Sequence, residues 1–415
     1  MPVNPTDIIR SLGAVEEFLW LFDHSSPKHF CLIAEVTGRT TVAEWRAGLD
    51  ALQERHPTLS VSVDTTYNRV PHFRKGTGQP IPLRVVGVNS TWEREAEREM
   101  RTLFDPTKAP LIRAVLILQP EKAVVILVTH HAIADGMSSV FLLRDLVAAI
   151  SGQTLTPYPF PRSLDEIVGV PVRTSTEPGV VFSHDLARKC VETPVHVRSR
   201  VVSKELTKLL LERTRQEDTT IQGIVCAAIA VAGRKLDERR RENPFRIFSP
   251  VDIRKLIGVE DHCMVAFSKA VSVIEPNSQE SLWDLARFVR KTLLPFKTVE
   301  GNAPVLMAIS QAMGTNMNVE EGAAFNQAAF SEEAMVSNVG LVPYSPDFGK
   351  LTIQSLWAPV MLRGHEHEQT IGVSTINGSL HLVHTSWHPI EGLLESVEQK
   401  LAAACQLAAA EGQAD

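Results

Sequence analysis

The sequence predicts an α/β protein built from two lobes, on three observations. The chain has 415 residues, which is long for one hydrophobic core and comfortable for two lobes of roughly 200 residues each. Apolar residues make up 44% of the chain and charged residues 22%, an ordinary balance for a globular protein. Short apolar runs rich in β-branched residues alternate with segments of helical periodicity along the whole sequence. This alternation indicates an α/β fold.

The first half of the chain contains closely spaced strands and helices. Val42, Trp45, Leu49 and Leu52 share one face of a helix, which Pro57 ends. Residues 119–122 have turn composition between two apolar runs, so residues 111–118 and 123–129 should pair as a hairpin. The remaining predictions here are a short helix over 12–22, strands over 30–36, 59–63, 70–74 and 81–86, and a helix over 92–103.

A proline-rich stretch over residues 152–181 suits an exposed connection between lobes. We therefore divide the chain into a lobe of residues 1–160, a connection of 161–194 and a second lobe of 195–415. In the second lobe, Asn377 and Gly378 predict a two-residue hairpin turn, and residues 221–231 a buried helix. Further strands are predicted over 195–202, 245–254, 265–274, 334–342, 351–356, 371–376 and 380–385, and further helices over 204–215, 282–294, 304–313 and 390–410.

The stretch over residues 124–143, VVILVTHHAIADGMSSVFLL, predicts a strand, a polar loop and a helix. A short loop between two packed elements can hold an imidazole in a fixed orientation, and histidine suits proton transfer near neutral pH. A lone histidine at a strand end is usually structural. The adjacent pair His130 and His131, followed by Asp135 and Gly136, is a much narrower pattern.

Residues 130–136 spell HHxxxDG, and this motif resembles the signature of the CoA-dependent acyltransferase superfamily. That superfamily includes chloramphenicol acetyltransferase, plant BAHD acyltransferases, mycobacterial polyketide-associated acyltransferases and the condensation domains of nonribosomal peptide synthetases. LDALQERHPTLSVSV over residues 49–63 resembles a helix-to-strand passage of condensation domains, and FDPTKAPLIRAVLI over 104–117 resembles a further family stretch. The resemblance implies two chloramphenicol-acetyltransferase-like lobes with mixed sheets and an active-site tunnel between them.

One departure from the plant enzymes argues against a plant-type member, and the resemblance is closest to stand-alone bacterial-type members. Asp347, Phe348 and Gly349 match the first three positions of the plant DFGWG element, whereas Lys350 and Leu351 replace the remaining two. The element is usually structural, so its loss does not argue against catalysis.

The resemblance also implies residue roles. His131 would be the general base, and His130 would be structural. Asp135 would hold the loop by pairing with Arg254, which ends the phrase FRIFSPVDIR. Gly136 would permit a tight backbone turn and admit the thioester arm.

Two further residues are candidates for stabilising the tetrahedral oxyanion. They are Ser337 and Asn338, on a second-lobe strand that resembles the one lining the family's tunnel. The alternative is ordinary hydrogen bonding at the end of a strand.

The implied function is an acyltransferase that moves an acyl group from a CoA or carrier-protein thioester to a hydroxyl of a small-molecule or natural-product acceptor. The sequence offers no activated Ser or Cys nucleophile, so the acceptor would attack the thioester directly. No bound cofactor is expected, because the thioester is a co-substrate. Two alternatives stay open: a stand-alone condensation-type enzyme that forms an amide, and a non-catalytic protein that recruits partners.

Other chemistries lack their motifs. GxSxG, GxGxxG and GxxxxGK followed by Ser or Thr are all absent from the sequence. His365 and His367 would share one face of a strand, close to further histidines, but no HExxH pair accompanies them, so we predict no metal. The net charge of −6 disfavours a nucleic-acid partner.

Cysteine usage and hydropathy bear on the cellular location. The five cysteines are scattered, which disfavours disulfides and fits a reducing compartment. The amino-terminal residues lack the pattern of a signal peptide, and no apolar run approaches the roughly 20 residues needed to cross a bilayer. We therefore expect a cytoplasmic monomer.

Overall fold

The structure, a computed structural model, describes residues 7–259, 261–276 and 280–411. The signal-peptide prediction depends partly on residues 1–6, which lie outside the described residues. Within the described part of the chain, no helix is both long and apolar enough to span a bilayer. All five cysteines are free.

Strands and helices alternate along the chain as predicted. The described strands are β1 Ile8–Ser11, β2 His29–Thr37, β3 Val61–Asp64, β4 His72–Lys75, β5 Leu83–Val86, β6 Ile112–Leu118, β7 Lys122–His130, β8 His196–Val202, β9 Phe245–Asp252, β10 Phe267–Ile274, β11 Ala334–Leu341, β12 Thr352–Met361, β13 Gln369–Ile376 and β14 Ser379–Ser386. The helices are α1 Ala14–Asp23, α2 Val42–Arg55, α3 Trp92–Met100, α4 Gly136–Ile150, α5 Leu164–Val168, α6 Asp185–Cys190, α7 Lys204–Gln216, α8 Ile221–Leu236, α9 Arg254–Ile257, α10 Leu282–Leu293, α11 Val299–Met313, α12 Val319–Ala329 and α13 Leu393–Glu411.

The strands form three sheets. The largest has the order β10-β9-β11-β13-β14-β8, in which β11 runs parallel to both β9 and β13 and the other neighbours are antiparallel. The second has the order β12-β2-β7-β6-β5, and its β5–β6 pair is parallel. A small antiparallel sheet has the order β1-β4-β3. The mixed α/β architecture is confirmed.

Two hydrophobic cores underlie these sheets. One cluster packs β2, β6 and β7 against α2 and α4, with Trp45 and Leu49 fully buried at its centre. The other packs α8 and α10 against the six-stranded sheet. Helix α8 is buried along most of its length, as its continuous apolar sequence predicts. The first cluster also includes Phe248, Met335 and Trp387 from the predicted second lobe.

Strand β12 departs from the division by sequence. It belongs to the predicted second lobe, but it pairs with β2 in the five-stranded sheet of the first, with Thr352 opposite Thr37 and Met361 opposite Phe30. The six-stranded sheet passes close behind it: a Cβ added to Gly372 would lie 2.4 Å from the carbonyl oxygen of Pro359. The two lobes are therefore joined by a shared strand and a close backbone contact. The predicted boundaries at residues 160 and 195 stay a prediction.

Several local predictions are confirmed, and four of the described helices were missed: the short helices α5, α6 and α9 and the longer α12. Strands β6 and β7 form the expected hairpin. Asn377 and Gly378 have φ values of 52° and 80°, as a two-residue hairpin turn requires. Residues 152–181 contain only the short helix α5. Helix α12 was not predicted.

Candidate active site

The loop between β7 and α4 holds His131 in a defined orientation. The His131 backbone N–H donates to the carbonyl oxygen of Lys28 at 2.7 Å, and its ring Nδ1 lies 2.9 Å from the carbonyl oxygen of Ala134. A carbonyl oxygen only accepts hydrogen bonds, so Nδ1 must carry the ring proton. The other nitrogen, Nε2, is then an unprotonated acceptor. Among the described residues, none forms a hydrogen bond with it.

The surroundings of His131 keep the imidazole neutral. The residue is 7% exposed and packs between the rings of Phe30 and Phe267, with centroid distances of 5.0 and 5.6 Å. Burial lowers the pKa of His131 to about 4, although the nearby Asp135 carboxylate opposes this shift. At neutral pH, the ring can therefore accept a proton at Nε2.

Asp135 and Arg254 meet, as the family resemblance implies. An Arg254 guanidinium nitrogen lies 2.5 Å from Asp135 Oδ1, and both residues are buried. Asp135 is the N-cap of α4: Oδ1 also accepts from the Ser138 N–H at 2.8 Å, and Oδ2 accepts from the Ala266 N–H at 2.8 Å. Burial alone would raise the pKa of Asp135, but Arg254 and these two N–H donors hold it below its ordinary value.

Ser138 completes this buried network, and the sequence analysis missed it. Its hydroxyl donates to the carbonyl oxygen of Met264 at 2.7 Å and accepts from Arg254 at 2.7 Å. It also accepts from the Met264 backbone N–H at 3.1 Å. The network thus ties the first turn of α4 to the segment before β10 in the other lobe. The available signal was a hydroxyl residue three positions after the capping Asp135.

The first of the two predicted reasons for Gly136, a tight backbone turn, is wrong. Gly136 is the first residue of α4 and does not have a positive φ, so the backbone there does not require glycine. An added Cβ would meet only Val339, at an ordinary contact distance of 3.5 Å. Gly136 and Val339 both line the cavity described below. Its predicted part in admitting the thioester arm stays a prediction.

His130 faces away from His131 and is fully buried. Its Nδ1 accepts from the Ala132 N–H at 3.1 Å, so Nε2 carries the proton and lies 3.3 Å from Asp23 Oδ2. Burial would raise the pKa of Asp23, but the contact with the His130 ring N–H and the hydrogen bond from the Lys28 backbone N–H hold it below its ordinary value. These contacts agree with the structural role expected for His130.

A cavity of about 480 Å³ opens beside His131, where the tunnel between lobes was expected. Its volume falls within the range of about 300–1,000 Å³ usual for small-molecule sites. The walls are mostly apolar and come from α1, α11 and α12 together with β9, β10, β11 and β12; they include Val15, Phe18, Leu19, Phe22, Phe248, Phe267, Leu306, Ile309, Phe325, Phe330, Met335 and Met361. This lining suits an apolar ligand.

The oxyanion candidates both line this cavity. Ser337 is 9% exposed on β11, and Asn338 uses its Oδ1 to accept the Gly340 N–H at 2.7 Å. The Asn338 side chain is thereby held in place. The oxyanion role of either residue stays a prediction.

The histidines near the carboxyl end are arranged differently from the prediction. His365 and His367 lie in the turn between β12 and β13, not on one strand face; His365 is buried and His367 exposed. Exposed Glu366, His367 and His388 have ligand atoms within 4.8 Å of one another. None of these three residues lines the cavity beside His131. The prediction of no metal at the site remains untested.

Comparison with known families accounts for both halves of the chain. A model of the condensation domain matches residues 19–162, and a model described as phthiocerol/phthiodiolone dimycocerosyl transferase C-terminus matches residues 192–383. The chain belongs to the CoA-dependent acyltransferase superfamily, as HHxxxDG indicated.

Curated relatives match about a third of this chain. Malpinin synthetase of Mortierella alpina is 27% identical over 146 residues, which are 32% of this chain and 2% of that protein. Tyrocidine synthase 3 of Brevibacillus parabrevis is 29% identical over 124 residues, which are 29% of this chain and 2% of that protein. The aligned region is therefore a very small part of these relatives.

Solved structures share the fold over nearly the whole chain. Polyketide synthase associated protein 5 of Mycobacterium tuberculosis has a TM-score of 0.65 at 18% identity, covering 97% of this chain and 99% of its own. The trichothecene 15-O-acetyltransferase of Fusarium sporotrichioides has a TM-score of 0.67 at 13% identity, with coverage of 97% and 99%. The condensation domain of the monacolin K polyketide synthase has a TM-score of 0.68 at 13% identity, with coverage of 96% and 98%. At these identities the likeness concerns the fold alone.

Proposed function

We propose that this protein is an acyltransferase that moves an acyl group from a CoA or carrier-protein thioester to a hydroxyl of a small-molecule acceptor. One observation carries the proposal: the Nδ1 contact of His131 with Ala134 leaves an unprotonated Nε2 on a residue that lines an apolar cavity between the lobes. The acceptor could be a lipid-like alcohol or a natural product. Family membership supports the thioester chemistry.

In this mechanism, His131 Nε2 removes the proton from the acceptor hydroxyl as the hydroxyl oxygen attacks the thioester carbonyl carbon. A tetrahedral oxyanion forms, and it collapses with loss of the thiolate. The imidazolium then returns the proton to the leaving sulfur. Free Cys263 and Cys226 do not suit covalent catalysis, since burial raises the pKa of each thiol to about 12. Direct attack therefore remains the proposed route.

The buried Asp135–Arg254 pair has a supporting part in the proposal. Both oxygens of Asp135 are already engaged by Arg254, Ser138 and Ala266, so the carboxylate has little capacity left for substrate. Its negative charge favours the imidazolium that forms on His131 during the reaction. Asp135 is thus proposed to position the loop and to stabilise the imidazolium form of His131.

Thiol release tests the proposal. The purified protein would be incubated with acyl-CoA donors of increasing chain length, alone or with phosphopantetheinylated carrier proteins, and with an alcohol or an amine as acceptor. We expect acceptor-dependent thiol release and an ester product by mass spectrometry. His131→Asn should release thiol at least about a hundredfold more slowly while keeping the thermal melting temperature.

Other products would favour the alternatives. An amide with the amine acceptor would favour the condensation-type reaction. No turnover with any donor, together with binding of a carrier protein, would favour recruitment and contradict the proposal.

We also propose that the protein is a cytoplasmic monomer. Cell fractionation would test the location, and sedimentation would test the oligomeric state.

A further inference from the structure

Lys28 is a buried cation on the cavity wall. It is 4% exposed, and its Nζ donates to the carbonyl oxygens of Arg363 at 2.8 Å and Ser26 at 3.1 Å. An ammonium group has three N–H donors, and the third has no acceptor among the described residues. In that part of the chain, no carboxylate oxygen lies within 4.0 Å of this nitrogen. Because an unpaired buried charge is costly, the arrangement calls for an anionic partner.

The carboxylates whose charges act on Lys28 have other partners. Asp23 accepts the Lys28 backbone N–H through Oδ1 at 2.7 Å and faces His130 through Oδ2. Glu368 accepts the Arg363 backbone N–H at 2.7 Å and lies 3.2 Å from Arg363 Nε. Burial lowers the pKa of Lys28 to about 8, despite the opposing charge of Glu368.

Lys28 is the cross-strand neighbour of the proposed base. His29 pairs with His130 at the end of the β2–β7 ladder, and the His131 N–H bonds to the Lys28 carbonyl oxygen in the next position. Residues directly opposite in an antiparallel pair project from the same face, with Cβ atoms about 5 Å apart. The side chains of Lys28 and His131 therefore both face the cavity.

Lys269 and Arg363 are two further cations on the cavity wall. Both pair with Glu332, which lies 2.6 Å from Lys269 Nζ and 2.9 Å from an Arg363 guanidinium nitrogen. Glu368 is the second carboxylate of this group. Asp135 and Asp252 also line the cavity, and Arg254 lies within 4.0 Å of both carboxylates. Among the lysines and arginines of the described residues that line the cavity, Lys28 is therefore the one without a carboxylate oxygen within 4.0 Å.

From this unpaired ammonium group we infer that the cavity binds an amphiphilic anion, a molecule with an apolar body and a carboxylate that pairs with Lys28. The inference rests on the proposed function in taking that molecule as a substrate. The carboxylate would sit on the acyl group or on the acceptor. In either case, Lys28 would position the apolar body along the wall formed by α1, α11 and α12.

Binding tests this inference without requiring turnover. Isothermal titration of the protein with decanoate and with methyl decanoate compares one apolar body with and without the charge. We expect decanoate to bind roughly tenfold or more tightly, the usual effect of a hydrogen bond to a charged group. Lys28→Met should abolish that preference, and Lys28→Arg should retain most of it. The control Lys122→Met alters a partly exposed lysine that pairs with Glu35 and does not line the cavity, and it should leave binding unchanged.

Equal binding of acid and ester by the wild-type protein would overturn the inference, even if Lys28→Met fails to fold. So would an unchanged preference in a folded Lys28→Met variant. Active thiol release beside equal binding would refute the inference and leave the proposed function intact.

Two further comparisons show which substrate carries the carboxylate. The first compares decanoyl-CoA with its ω-carboxylated analogue as the donor, and the second compares an ω-hydroxy fatty acid with its methyl ester as the acceptor. A Lys28-dependent preference in one comparison identifies the source, whereas transfer with no preference in either contradicts the inference.

Discussion

Replacing Asp135 by Asn tests the buried pair that holds the His131 loop. Asn keeps the size of Asp135 and can still accept the Ser138 N–H. It loses the negative charge. Because Oδ1 accepts from both Arg254 and Ser138, an Asn that keeps these two bonds turns its amide nitrogen towards the Ala266 N–H, which is also a donor. The change therefore leaves one buried donor without an acceptor and Arg254 without its ion pair.

The magnitude follows from what Arg254 retains. Removing one partner of a buried ion pair typically costs about 3–5 kcal/mol. Arg254 would still donate to the carbonyl oxygens of His262 at 2.7 Å and Met264 at 2.8 Å and to Ser138 Oγ at 2.7 Å. These remaining acceptors place the expected loss at the lower end, at about 3 kcal/mol. Thiol release should slow as well, because the loop carries His131.

Asp252, a second carboxylate near the Arg254 guanidinium, provides a matched control. The Asp252 carboxylate lies 3.7 Å from Arg254 Nε and is 41% exposed. Asp252→Asn keeps the oxygen that accepts the Arg254 backbone N–H, so we expect a loss below about 1 kcal/mol. Urea denaturation of both variants measures the difference in unfolding free energy. Equal losses, or a slower reaction for Asp135→Asn with unchanged stability, would refute the structural role of Asp135.

Three further predictions follow from the site and the core. The rate of thiol release should stay level from pH 7 down to about pH 5, because the pKa of His131 is lowered to about 4; a fall centred at the ordinary pH of about 6.5 would contradict this. Gly136→Ala should change the unfolding free energy by less than about 1 kcal/mol, since the added Cβ meets only Val339; a larger loss in urea denaturation would show that the backbone needs glycine. Burial lowers the pKa of His29 and His384 to about 3, so the unfolded chain takes up these two protons at a higher pH than the folded chain does. Each histidine should therefore reduce the free energy of unfolding by about 1.4 kcal/mol per pH unit as the pH falls from 6.5 towards 3. A free energy of unfolding that does not change over this range would contradict the prediction.

The sequence predicted those parts of the fold that depend on local patterns. Strand β7, the loop and helix α4 follow from an apolar β-branched run, a polar segment and helical periodicity. The turn at Asn377 and Gly378 follows from residue types that tolerate positive φ. The meeting of Asp135 and Arg254, which are 119 residues apart, came from resemblance to the family, because neither local pattern specifies the other partner.

Long-range pairing explains most of what the sequence did not reveal. Strand β12 reads as an ordinary apolar strand, and nothing in its residues specifies pairing with β2. Helix α12 had a usable signal: Asn318 caps it and Glu321 completes a capping box, but its weakly apolar sequence VEEGAAFNQAA concealed it.

The cavity needed the assembled fold. Its walls combine α1, α11 and α12 with strands of two sheets, so no single stretch indicates its volume or apolar character. Lys28 likewise looks like a lysine before a strand. Its proposed role in binding depends on its burial and on the other hydrogen bonds that Asp23 and Glu368 already make.

The protonation state of His131 is the most direct test of its role as the base. Long-range ¹H–¹⁵N NMR of histidine-labelled protein, with the resonance assigned by its loss in His131→Asn, reports which ring nitrogen carries hydrogen. The contact with Ala134 and the lowered pKa predict a neutral ring protonated at Nδ1, unchanged from pH 7.5 to about pH 5.5. A ring protonated at Nε2, or an imidazolium at neutral pH, would contradict the assignment of His131 as the base.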